Sequence, residues 1–191
     1  MGKLVGNVVK PDILDAVGPL QTCVGFKGDI EASIHVTREM WEEPETEGVL
    51  LVDADNAFNR VNRELAVHNI RETCPPFHKY LSNTYQKPAR LVVNDGYTTD
   101  YLFSMEGCTQ GDVAAMAFYT LAVQPLTSEL ADVASNIGNC RQVWYADDSM
   151  SAGKLMSIRH WWDALCEKGP DYGYYPKPSK TILIIKSREM L

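Results

Sequence analysis

Hydrophobic and polar positions alternate with two different periods along this chain. Ile30, Ile34, Thr37 and Trp41 recur at helical spacing, which predicts an amphipathic helix over 29–43, ended by Pro44 and the acidic stretch after it. Residues 49–52, Val-Leu-Leu-Val, form a short apolar run that stops at Asp53 and reads as a buried strand. Helices follow over 62–73, stopped by Cys74-Pro75-Pro76, and over 76–86. Two strand-like runs, 90–93 and 97–103, flank Asn94-Asp95-Gly96, and Asp-Gly between such runs signals a hairpin. A long helix is expected over 110–134, with Pro125 marking where it would break. Runs 142–145 and 149–152 make a second hairpin around two adjacent aspartates. A helix over 154–168, a loop rich in Gly, Pro and Tyr, and a strand over 181–186 complete the pattern. Hairpins mixed with segregated helices predict an α+β fold, with helices on one face of an antiparallel sheet.

Composition narrows the class. The chain has 191 residues, enough for one domain with a real core. No apolar run approaches the length of a membrane span, and the first residues carry no signal-peptide pattern. Five scattered cysteines without a CxxC pair indicate neither a zinc site nor a disulfide framework, so an intracellular, reducing setting is expected. The net charge of −7 counts against a self-sufficient nucleic-acid binder, which would show a basic face.

The chemistry concentrates in carboxylates. Asp147 and Asp148 are neighbours in Tyr145-Ala146-Asp147-Asp148, where a tight turn holds two like charges close together unless solvent or cations relieve them. Asp53, at the end of a strand, is a third carboxylate that a sheet could bring beside them. Three such groups can hold two divalent ions about 3.5–4 Å apart for an in-line displacement. Turn aspartates are common, and each of these taken alone suits a capped or solvated turn equally well. Two further segments carry glycines at polar turns. In Gly107-Cys108-Thr109-Gln110-Gly111-Asp112 they flank the entry to the long helix, where an anionic ligand or a plain cap would both fit. In Gly173-Tyr174-Tyr175-Pro176-Lys177-Pro178-Ser179-Lys180-Thr181 a lysine precedes the last strand; it can serve a leaving pyrophosphate or stand in solvent. His35, His68, His78 and His160 lack ligand spacing, and Trp161-Trp162 reads as core.

In this order and spacing the four segments resemble the palm of a reverse transcriptase. The strand ending Asp53-x-x-x-Ala57-Phe58 is similar to the first palm motif of that family, Gly107 to Asp112 to the second, Tyr145-Ala146-Asp147-Asp148 to its YxDD signature, and Gly173 to Thr181 to the fourth. Upstream, Leu20-Gln21-Thr22-Cys23-Val24-Gly25-Phe26 and Glu31-Ala32-Ser33-Ile34-His35 resemble the finger-to-palm region of retroelement and group II intron-like enzymes. The resemblance implies a polymerase palm with helices packed on one face of an antiparallel sheet, plus partial fingers: fingers and finger-palm region over 1–48, and palm over 49–191 with motifs at 50–60, 106–126, 142–152 and 173–186.

The resemblance further implies RNA-directed DNA polymerase activity, adding deoxynucleotides to a primer 3′-OH with two Mg²⁺ or Mn²⁺ ions. Its partners would be an RNA template, a DNA or RNA primer and deoxynucleoside triphosphates, with no membrane. Asp53 and Asp147 would be the principal metal ligands, assisted by Asp148 and the Ala54 carbonyl. Phe58 would be the steric gate against a ribose 2′-OH, and this aromatic argues against an RNA-synthesising palm. Gln110 and Gly111 would touch template and incoming nucleotide, Tyr145 would support the primer end, and Lys180 would face the triphosphate. One departure stands out: the family's proline after Gln-Gly is missing from Gln110-Gly111-Asp112-Val113-Ala114, which bears on where the long helix begins. The basic finger strands and the thumb of the family are expected to lie outside this chain, which would account for its acidity. The alternative is a catalytically inactive or domesticated remnant serving as a binding or scaffold module.

Overall fold

The computed structural model describes residues 2–24, 28–85, 87–109 and 111–187. Its elements run α1 (Gly2–Val17), α2 (Asp29–Glu42), β1 (Gly48–Val52), α3 (Ala57–Arg60), α4 (Arg63–Thr73), α5 (Pro75–Tyr85), β2 (Ala89–Asn94), β3 (Thr99–Ser104), α6 (Ala115–Ile137), β4 (Cys140–Tyr145), β5 (Asp148–Gly153), α7 (Leu155–Lys168), a 3₁₀ turn (Gly169–Tyr172) and β6 (Ile182–Ile185). The α+β expectation holds. β4, β5, β1 and β6 lie in that order in one antiparallel sheet, and β2 and β3 form a separate hairpin.

The strand register sorts the sheet into two faces. Leu50, Val52 and Trp144 point into the main core with Phe118, Leu121, Leu126 and Leu130 of α6 and Ile158, Trp161 and Leu165 of α7. Trp161 is wholly buried, as expected, and its indole N–H donates to Gln142 Oε1 at 2.7 Å. On the opposite face Val49, Val143, Met150 and Ala152 gather against Met40, Val36 and Trp41 of α2. The helical period expected for α2 holds, and its inward stripe holds in part: Trp41 faces the sheet, while the first two positions do not. Ile30 and Ile34 face solvent, at 55% and 61% exposure, because α2 meets the sheet along the line of Val36 and Met40.

Other boundaries shift for identifiable reasons. α1 was not expected; Val9, Ile13 and Val17, four residues apart, bury against the α5–α6 side of the core. Asn62 caps α4 by accepting from the Leu65 N–H at 3.0 Å, so helix residues begin one position later than read. α6 starts at Ala115 rather than at residue 110. The Asp112 carboxylate accepts from the Ala114 N–H at 2.9 Å in a turn ahead of the helix. α6 also runs unbroken through Pro125, since the apolar residues either side of it are fixed in the core. Among the described residues no helix is long and apolar enough to cross a membrane.

Candidate active site

β1 and the β4–β5 hairpin bring the three aspartates to one end of the sheet. Asp53 follows the last residue of β1, Val52, which pairs with Ser149 of β5. Tyr145 pairs with Asp148 across the two-residue turn Ala146-Asp147. Ala146 has φ 54°, the left-handed backbone demanded at the first position of a II′-type hairpin turn, where glycine is the usual residue.

The carboxylates feel one another. Burial, followed by the charges of Asp148 and Asp53, raises the Asp147 carboxyl above the ordinary carboxylate range. Asp148 is raised in the same direction by burial and then by Asp53. Lys180 Nζ sits 2.8 Å from Asp53 Oδ2, and that hydrogen bond and charge stabilise its ammonium form. Among the described residues no group of three His, Cys, Asp or Glu side chains converges on a common ligand point. The cation on Asp53 is Lys180.

A cleft of about 300 Å³ joins the parts on the α2 side of the sheet. Asp53, Tyr145, Asp148 and Lys180 line it, together with Ser33 and Thr37 of α2. Four of the expected site residues thus meet in one cavity, and Asp147 stands beside it in the turn. Ala54 is buried next to Asp53, bridged to Pro176 by the bonds Lys177 N–H to Asp53 O (2.8 Å) and Asp55 N–H to Tyr175 O (2.7 Å). Phe58 does not line the cleft; on α3 its ring stacks on Tyr119 of α6, with centroids 4.5 Å apart and planes 17° apart. Gly111 has φ 88°, a backbone that an L side chain rarely adopts, in the turn before α6. Gln110 lies outside the described residues.

The motifs are bolted together by contacts that no single segment announces. Arg63, 6% exposed, donates to Gly107 O, Ser104 O and Glu106 O, and the Cys108 N–H donates to Phe58 O at 2.7 Å, so the second motif is held against α3 and α4. A Cβ on Gly173 would run into the Arg60 carbonyl, so only glycine lets the fourth motif close on the first. Lys177 pairs with Asp55 at 2.9 Å, and Arg60 lies over the Tyr175 ring at 3.8 Å from its centroid. Tyr174, buried beneath the hairpin, donates to Asp147 O at 2.9 Å and bonds Ser149 Oγ at 3.0 Å; burial raises its hydroxyl pKa. Gln21 accepts from the Ala146 N–H at 2.7 Å and donates to Ala146 O at 3.1 Å. Neither Tyr174 nor Gln21 was given a role from sequence. The only available signal was their place inside segments already singled out.

The Reverse transcriptase (RNA-dependent DNA polymerase) family model matches residues 11–191. No curated protein sequence matches the chain. Among solved structures it is similar to apo telomerase from Candida tropicalis truncated from the C-terminal domain, with TM-score 0.73 and 12% identity over 97% of this chain and 40% of that one. It is also similar to Candida albicans telomerase in complex with the TWJ fragment of telomeric RNA, with TM-score 0.62 and 12% identity over 96% of this chain and 35% of that one. At such identities the likeness concerns the fold, and the chain spans well under half the length of these structures. With the family match extending across four ordered motifs whose aspartates the sheet brings to one end, the chain belongs to the reverse transcriptase family.

Proposed function

We propose that this chain is the palm, with a finger-to-palm portion over 1–48 and the palm proper over 49–191, of an RNA-directed DNA polymerase. The observation that carries this reading is the placement of Asp53 just after β1, beside the Asp147-Asp148 hairpin, with Lys180 on the Asp53 carboxylate, inside a chain of the reverse transcriptase family. Its substrates would be deoxynucleoside triphosphates and the 3′-OH of a DNA or RNA primer, on an RNA template.

The donor chemistry of the site suits two Mg²⁺ or Mn²⁺ ions: hard carboxylate oxygens from Asp53, Asp147 and Asp148, with the Ala54 carbonyl alongside. Bound there, the ions would lower the cost of the attacking 3′-oxygen and of the leaving oxygen. The raised carboxyls fit that role, since burial and mutual repulsion leave them wanting a cation. Lys180 would be the partner that moves. It would leave Asp53 for the triphosphate, where an ammonium held protonated neutralises the leaving pyrophosphate. Tyr145 in the cleft would support the primer end. Phe58, fixed on Tyr119, would present a rigid edge to a ribose 2′ position, while Gly111 and Gln110 would meet template and nucleotide.

The test is primer extension on an RNA template with Mg²⁺ or Mn²⁺, comparing this chain, a longer form carrying fingers and thumb, and Asp147→Asn in each. Activity in the longer form, lowered by about a thousandfold in Asp147→Asn, is the expected result. A folded longer form without activity overturns the catalytic reading. Phe58→Ala should raise ribonucleotide incorporation roughly 10–100-fold, and an unchanged preference removes Phe58 as the gate. If Mn²⁺ fails to shift the melting temperature of the chain relative to Asp53→Asn, the inactive-remnant alternative takes over.

A further inference from the structure

Ala146 is the residue on which the aspartate turn depends, and it is ill suited to its conformation. A β-carbon at φ 54° is strained, and such strain persists only where neighbours over-determine the backbone. Both backbone polar groups of Ala146, which lie on the two peptide planes flanking its Cα, are held by one side chain. The carboxamide of Gln21 accepts from the Ala146 N–H at 2.7 Å and donates to the Ala146 carbonyl at 3.1 Å, across 125 residues of sequence.

The amide is itself immobilised. Gln21 is 2% exposed and forms a parallel bridge with Trp144 of β4. On either side of it the Trp144 N–H donates to Leu20 O at 2.8 Å and the Thr22 N–H donates to Trp144 O at 2.9 Å. The Thr22 hydroxyl adds a bond to Trp144 O at 3.0 Å and another to Ser33 of α2. Cys23 Sγ lies 3.2 Å from Gln21 Oε1, as a weak donor to it. Residues 20–22 therefore act as a short extra strand on the free edge of β4, and its central side chain reaches around the hairpin tip.

We propose that Gln21 is a positioning residue for the catalytic turn: its amide locks Ala146 in the left-handed conformation that aims Asp147 and Asp148 at Asp53. The claim rests on the polymerase reading for what the aspartates do, but the lock itself is a property of the chain without substrate. An amide is the side chain suited to the task, because it presents one acceptor and one donor side by side. Methionine matches its length and offers neither group. Ionised glutamate keeps the acceptor and loses the donor.

The test uses the ¹⁵N-labelled chain and two readouts. Amide hydrogen exchange at Ala146 should accelerate by about tenfold or more in Gln21→Met and much less in Gln21→Glu, which still accepts from that N–H. A role limited to filling space predicts the same exchange in both variants and overturns the proposal. Mn²⁺ titration of the same samples should show affinity weakened roughly tenfold in Gln21→Met. Accelerated exchange with unchanged Mn²⁺ affinity overturns the positioning role. A wild-type chain that binds no Mn²⁺ overturns instead the polymerase reading on which the role depends, whichever way the exchange result falls. Should Gln21→Met not fold, Gln21→Glu still decides: exchange at Ala146 as fast as at an unprotected amide overturns the lock.

Discussion

The two hairpins of this molecule are built from the same local ingredients and held in opposite ways. At the β2–β3 tip the stabilising bonds among the described residues are local: Asp95 Oδ1 accepts from the Tyr97 and Thr98 N–H groups at 2.9 and 2.7 Å, and Asn94 Oδ1 accepts from the Gly96 N–H at 2.8 Å. At the β4–β5 tip the supports come from far away, from Gln21 and from Tyr174. Their aspartates respond accordingly. The backbone N–H groups of Thr98 and Tyr97 lower the Asp95 carboxyl, whereas burial and like charge raise Asp147 and Asp148. A turn aspartate that serves its own backbone is stabilised as an anion. One that is buried beside like charges is not, and the turn that carries it is held through distant contacts. Residues of β2 and β3 are almost all exposed, whereas β4 and β5 are buried on both faces.

The comparison breaks most severely if a distant support is removed. Gly173→Ala should cost about 3 kcal/mol or more by chemical denaturation, because its Cβ meets the Arg60 carbonyl at φ 77° and displaces Tyr174 from under the aspartate turn. A loss comparable to an ordinary surface substitution would show that the fourth motif is not bolted to the first. Tyr174→Phe should follow, at about 1–2 kcal/mol, for two lost hydrogen bonds in a buried site. Its exchange signature should appear at the β4–β5 tip and leave β2–β3 untouched.

Asp147→Asn should do the reverse and stabilise the chain near pH 7 in the presence of a chelator. A carboxyl whose folded pKa is raised favours the folded state when protonated, and that advantage is lost as pH climbs through the folded value. The melting-temperature gain of Asp147→Asn should therefore shrink toward zero as pH falls to the ordinary carboxylate range near 4. For Asp95 the sign is opposite: its contribution is present above the unfolded pKa and lost as pH falls through the lowered folded value. Asp95→Ala should have the smallest effect, a slight loss at neutral pH that fades in acid, with faster exchange only at Tyr97 and Thr98. A gain in stability from Asp95→Ala, or a loss from Asp147→Asn, would erase the distinction between the two tips.

The hairpins, the helices α4, α5 and α7 and the four motifs were legible because each is written in a local period or a short run of turn residues, whereas the short α3 was not expected. What escaped was set by packing between segments. The first half of the α2 stripe did not hold, because Ile30 and Ile34 satisfy a helical period as well as Val36 and Met40 do, and only the sheet decides which line is buried. α1 was missed although Val9, Ile13 and Val17 share one face, since the polar residues and Pro11 between them obscure the spacing. The start of α6 depended on the Asp112 side chain bonding its own turn rather than on helix propensity.

By itself the sequence determined the carboxylate inventory, the turn at Ala146-Asp147 and the order in which the motifs arrive, because those are properties of neighbouring residues. Tertiary structure decided that Asp53 and Asp148 share one cleft with Lys180 bonded to Asp53, that Phe58 leans on Tyr119, and that Gln21 and Tyr174 hold the aspartate turn. Those pairings join residues as much as 127 positions apart. No local pattern encodes them, since a hydrogen bond of that span exists only once a strand register has fixed both of its ends.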